Sequence, residues 1–160
     1  MSTDATPTTL DPATQRALAV RLFNRAWELL ESGGRSPDDD RELLASAVAS
    51  RLHWEGIGTD ENYAAGDWMV AHVASHLGHA GLALDFATAA HDRATAAGDA
   101  VPLWLVASTE EGLARAHAVA GDAAERDRWA AATRATLERV DDDEDRELIA
   151  SQLATVPGLA

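Results

Sequence analysis

Residue pairs that start or stop helices recur along this chain at short intervals, and that spacing constrains its fold more than any other feature. Asp11-Pro12 places a capping side chain before a proline at the first helical position, where no N–H is needed and φ is already helical. Gly33-Gly34 stops the helix so opened near Ser32. Ser36-Pro37 repeats the start, with Asp39 three residues on as a capping-box acid. This second helix ends near Trp54-Glu55, ahead of Gly56 and Gly58. Thr59, with acids at Asp60 and Glu61, opens a third that ends at Gly78. A fourth runs from about Ala80 to Ala97 and is closed by Gly98. A fifth runs from about Val101 to Ala120, with Pro102 in its first turn and Gly121 behind it. Asp122 caps a sixth carrying Trp129, Thr133, Leu137 and Val140. The acidic run Asp141–Asp145 forms the first turn of a seventh, where negative charge meets the positive end of the helix dipole. About seven helices joined by short loops predict antiparallel neighbours.

Composition agrees with an all-α fold. The apolar fraction of 46% is dominated by Ala and Leu, strong helix formers, whereas strands favour β-branched and aromatic residues. Leu18, Leu22, Ala26 and Leu29 form one stripe of the first helix, widened by Val20, Phe23, Trp27 and Leu30. The second helix is expected to turn Leu44, Val48 and Leu52 inward. Leu148, Ile149, Leu153 and Val156 give the seventh one apolar face. The expected organisation is a single domain over 11–157 behind a short disordered leader, 1–10. That leader has neither the basic nor the apolar region of a secretory signal.

A formal charge of −14 with no lysine argues against nucleic acid and against anionic membrane surfaces, both of which are gripped by basic side chains. With no cysteine, disulfides and thiolate chemistry are excluded. No apolar run approaches membrane-spanning length, so a cytoplasmic location is expected.

Leu77-Gly78 and Ala120-Gly121 each close one long helix and open another. Taking Gly78 as an inter-helix glycine puts Ala71, Ala83 and Ala90 at positions where close helix contact needs small residues. Gly121 and Ala114 repeat this in the next hairpin, although Arg126 and Thr133 stand where the pattern has alanine. Over roughly residues 63–140 the chain resembles the tetratricopeptide-repeat (TPR) family, with units of about 40 residues rather than 34. The resemblance implies a TPR-like stack of α-hairpins whose first helices line a groove.

Trp68, His72 and His76 stand four apart on the third helix and therefore share one face. An indole and two imidazoles are unusual for a packing stripe and suggest a surface that holds something. The resemblance adds Ser75 to that face and places Trp104, Ser108, Glu111 and Arg115 opposite it, and Arg51, His53 and Trp54, at the end of the second helix, are expected to close one side. Glu111 and Arg115 also have the order of a solvated intrahelical ion pair. Trp27 and Trp129 read as packing anchors, and His91 and His117 as surface or hairpin-interface residues.

The expected function is a TPR-like binding or scaffold module that holds a peptide, protein or small molecule in a Trp- and His-lined groove. The alternative is a small-molecule enzyme or metal-binding protein using His72, His76 and Glu111. His72-x-x-x-His76 is a chelating spacing, but the third ligand, Glu111 or His53, is not enforced locally. No cofactor is expected, and a divalent metal stays an open alternative. No catalytic motif decides whether the chain is an enzyme. Self-association through the stripe would make the chain a homo-oligomer.

Overall fold

The computed structural model describes residues 9–159, so most of the expected leader lies outside the described residues. Helix starts coincide with capping side chains. Asp11 accepts from the N–H groups of Ala13 and Thr14, Asp122 from Glu125 and Asp142 from Asp145. Ser36 with Asp39, and Thr59 with Asn62, form complete capping boxes. Each such cap is worth about 1 kcal/mol. The caps open α1 (Pro12–Glu31), α2 (Pro37–His53), α3 (Asp60–His76), α6 (Ala123–Leu137) and α7 (Asp143–Ala154), whereas α4 (Ala80–Ala97) and α5 (Leu103–Ala120) start without a side-chain cap. A 3-10 turn, Gly98–Ala100, precedes α5, and the described residues contain no strand. No helix among them is long and apolar enough to cross a membrane.

Three boundaries differ from expectation. Pro102 is the extended residue before α5 rather than part of its first turn. The sixth helix stops at Leu137, and Val140 follows it as a buried turn residue whose carbonyl accepts from Arg146. Asp142 is itself the cap of α7, which leaves only Asp143, Glu144 and Asp145 in the first turn.

Neighbours pack as the pairs α1–α2, α3–α4 and α5–α6. Further contacts join α1 to α3, α3 to α5 and α5 to α7, so the odd-numbered helices form one layer on which the even ones pack. Small residues bring the backbones together: Ala71 and Ala74 of α3, Ala83 and Ala87 of α4 and Ala116 of α5 share one buried cluster with Leu113.

The reading of α2 is corrected at Leu52. Its buried face is Leu43, Ser46, Ala47 and Ser50, with the Ser50 hydroxyl donating to the Ala19 carbonyl at 2.8 Å. Leu44 and Val48 are half-buried, and Leu52 is 52% exposed. Leu43 and Ala47 share one buried cluster with Ala26 and Leu29 of α1, and Leu44 and Val48 pack against it, so only Leu52 departs from the expected inward face. Ile149 and Leu153 of α7, and Val156 just past its end, are buried as expected, but Leu148 turns outward, 56% exposed.

A buried carboxylate fastens the second hairpin. Asp67 of α3 accepts from Arg51 Nε of α2 at 2.7 Å, and Arg93 Nε of α4 lies 3.8 Å from its other oxygen. The Arg93 guanidinium sits over the Tyr63 ring, 4.9 Å from its centroid. Gly66 permits this approach, since a Cβ there would fall 3.1 Å from Arg51 Cγ and 3.3 Å from its Cα.

Candidate functional site

Helical spacing puts Trp68, His72 and His76 one above another on α3, and the third dimension adds Trp27 of α1. Trp68 and His72 stack at 5.0 Å between centroids with 29° between planes. Trp27 lies 5.9 Å from Trp68 and 5.7 Å from His72, and His76 meets His72 edge-on at 4.7 Å. Such contacts contribute about 0.5–1.5 kcal/mol each beyond area burial. On the α5 side the indole reaches the backbone at Gly112, where a Cβ would fall 3.1 Å from Trp68 Cδ1.

Glu111 and Arg115 are not the solvated pair that their spacing also allows. Glu111 is fully buried and Arg115 is 4% exposed. Glu111 Oε1 accepts from Arg115 Nε at 2.8 Å and from Nη2 at 2.6 Å. The same Nη2 donates to the Gln152 carbonyl at 2.7 Å and to Thr155 Oγ1 at 2.8 Å, tying α5 to the end of α7. Glu111 Oε2 has no partner among the described residues, nor have Trp68 Nε1, His72 Nδ1 and Ser75 Oγ. Buried polar atoms are normally paired, and each one left unpaired costs about 1–3 kcal/mol.

Burial sets the protonation states here. Desolvation holds the His72 pKa well below the ordinary imidazole value, with the charges of Arg115 and His76 adding to it. His76 is exposed, yet partial desolvation, with Arg115 and Arg35, lowers its pKa to about 4. Burial pushes the Glu111 pKa up, against the opposing pull of Arg115. Both imidazoles are therefore neutral at pH 7, and His72 is a weaker base than a free histidine.

Beside this column a cleft of about 270 Å³ opens between the odd-numbered helices. Phe23 and Trp27 come from α1, Trp68 from α3, and Trp104 and Ser108 from α5. The fourth side is α7, with Asp145, Leu148, Ile149 and Gln152. The walls are predominantly apolar, and the Ser108 hydroxyl donates to the Trp104 carbonyl at 3.0 Å.

The structure thus sorts the sequence-selected residues into groups. Trp68, Trp104 and Ser108 share the cleft. His72 stacks behind Trp68, the Glu111–Arg115 pair is sealed nearby on α5, and His76 sits at the solvent edge. Trp54 lies elsewhere, buried beneath the Arg16 guanidinium (5.3 Å) and lining a separate cavity of about 170 Å³ with Val20, Phe23 and Gly66. His53 is half-buried at the end of α2. Trp27, read as a packing anchor, is half-buried and lines the cleft, as does Phe23; Asp145, Leu148 and Ile149 of α7 were read from the sequence as its acidic first turn and apolar face, not as part of a site. His91 does sit at a hairpin interface, edge-on to Trp129 and within 3.1 Å of Thr109 Oγ1.

Among the described residues no three His, Asp or Glu side chains converge as metal ligands. The nearby Arg115 cation that depresses both imidazole pKa values would also repel a metal ion.

Fold and site together define an all-α protein of paired helices with an aromatic cleft on its odd-numbered layer. Compared with protein-family models, curated proteins and solved structures, the chain has no match.

Proposed function

We propose that this chain is a TPR-like binding module that holds a peptide or protein segment in the cleft between α1, α3, α5 and α7. One observation carries the reading: three indoles, Trp27, Trp68 and Trp104, line an accessible cleft beside Leu148, which is 56% exposed. An exposed apolar side chain continuous with a cleft walled by three indoles has the composition of a binding surface. Paired helices with small residues at their contacts suit the TPR-like description, although the hairpins are longer than those of that family. A cytoplasmic location fits the same reading.

Leu148→Glu tests it, because the position is solvent-exposed and the change places a charge at the cleft mouth without disturbing the core. Proteins captured from the source lysate by the wild type should be lost with the variant. Identical capture by both would reject the cleft as the binding surface.

A second reading takes the unpartnered atoms on His72, Ser75 and Glu111 as the floor of a small-molecule site, with His76 at its edge. Native mass spectrometry of the purified protein tests it. A bound small molecule or stoichiometric metal that disappears in His72→Ala would favour this reading over the first.

A further inference from the structure

We infer that the cleft holds a basic side chain, an Arg or Lys carried by the bound peptide; the inference rests on the peptide-binding reading above. Size is the first argument. About 270 Å³ lies below the usual range of roughly 300–1,000 Å³ for pockets that enclose whole small molecules, and suits one long side chain.

The walls are the second. Trp27, Trp68 and Trp104 can cover the aliphatic stem of such a side chain, and indole is the aromatic surface that attracts cations most strongly.

Charge is the third. Asp145, half-buried in the first turn of α7, lines the cleft and makes no ion pair or side-chain hydrogen bond among the described residues, whereas Asp143 beside it pairs with Arg146. An acid in that turn gains from the helix dipole in any case. Unlike Asp39 of α2, however, Asp145 does not close a capping box, so its oxygens stay free. No Arg or His lines the cleft, although the chain carries 13 arginines. A purely apolar occupant would strip water from the Asp145 carboxylate without replacing it, and an acidic occupant would repel it. The overall charge of −14 draws cationic segments in at long range.

Phage-displayed random dodecapeptides selected against the full chain test the inference. The expected result is enrichment of peptides with Arg or Lys beside a large apolar residue. A synthetic peptide of that kind should lose about fivefold in affinity on Asp145→Asn, the scale of a partly exposed ion pair. Replacing its arginine with citrulline, the neutral isostere, should cause a similar loss. Trp104→Leu, which keeps apolar volume and removes the ring, should weaken the arginine peptide more than its norleucine counterpart. Enriched peptides without basic residues, or equal binding by the citrulline peptide, would overturn the basic-side-chain inference and leave peptide binding intact. No enrichment of any peptide would remove both.

Discussion

Asp67 on α3 and Glu111 on α5 are both carboxylates sealed inside the odd-numbered layer, but they are held in different ways. Two guanidiniums reach Asp67, from α2 and α4, and both retain a second acid: Arg51 bonds Glu55 at 2.6 Å, and Arg93 lies 3.8 Å from Asp60. Glu111 has one arginine from its own helix, itself buried and shared with the end of α7, and it keeps one oxygen unpaired. The first is a staple between hairpins with alternatives on every side. The second is a closed pair beside a column of rings in which three further polar atoms have no partner. Arg93 Nε beside Asp67 also lacks a hydrogen-bond partner, so the difference lies in how the charge is shared: the arginines at Asp67 each reach a second acid, whereas Arg115 has only Glu111.

Arg115→Ala should break this comparison most severely. It strands a buried carboxylate and releases α7, so a loss of about 3–5 kcal/mol is expected in urea unfolding. A loss under about 1 kcal/mol would show that Glu111 is not sealed. Asp67→Ala should cost less, about 1–3 kcal/mol, because Arg51 and Arg93 fall back on Glu55 and Asp60. Should the two variants rank the other way, the distinction between staple and sealed pair is wrong.

Acid sharpens the contrast. His72 accepts a proton near pH 6.5 when unfolded and only well below that when folded, so the unfolded state binds the proton first. Stability is complete above about pH 6.5 and declines as pH falls. His76 adds a smaller loss between its unfolded value and about 4, since it is exposed and solvent screens its charge. Thermal melts from pH 8 to 5 should show a steeper decline for wild type than for His72→Phe, which keeps the ring stack. Parallel curves would remove His72 from the account.

Two glycines make a smaller, paired test. Gly66→Ala and Gly112→Ala each gain up to about 1 kcal/mol in helix propensity and lose about 1–3 kcal/mol to crowding. Only Gly112→Ala presses on the Trp68 ring, so it alone should shift the tryptophan emission. The smallest effect is expected from Leu148→Ala, with stability unchanged within about 0.5 kcal/mol while peptide capture by the cleft weakens.

Much of the local structure was legible in advance. Asp11, Ser36, Thr59, Asp122 and the acidic run at 141–145 mark helix starts because capping is an interaction between residues two or three apart. The Trp68–His72–His76 stripe follows from helical periodicity in the same way. On α2, Leu44 and Val48 pack against the core as expected but Leu52 turns to solvent, because periodicity marks a face and not how far along the helix its neighbours reach. Glu111–Arg115 could equally have been solvated, since spacing four apart says nothing about what packs over the pair.

The sequence by itself determined seven helices, their order and one ring-bearing face, because each depends on contacts within a few residues along the chain. Only the tertiary structure decided that Trp27 joins that face, that α7 supplies Asp145 and Leu148, and that Glu111 is sealed with one oxygen unpaired. These depend on which helices meet across the odd-numbered layer. Burial, and with it the energy of a charge or an unpaired atom, is set by neighbours far away in the chain.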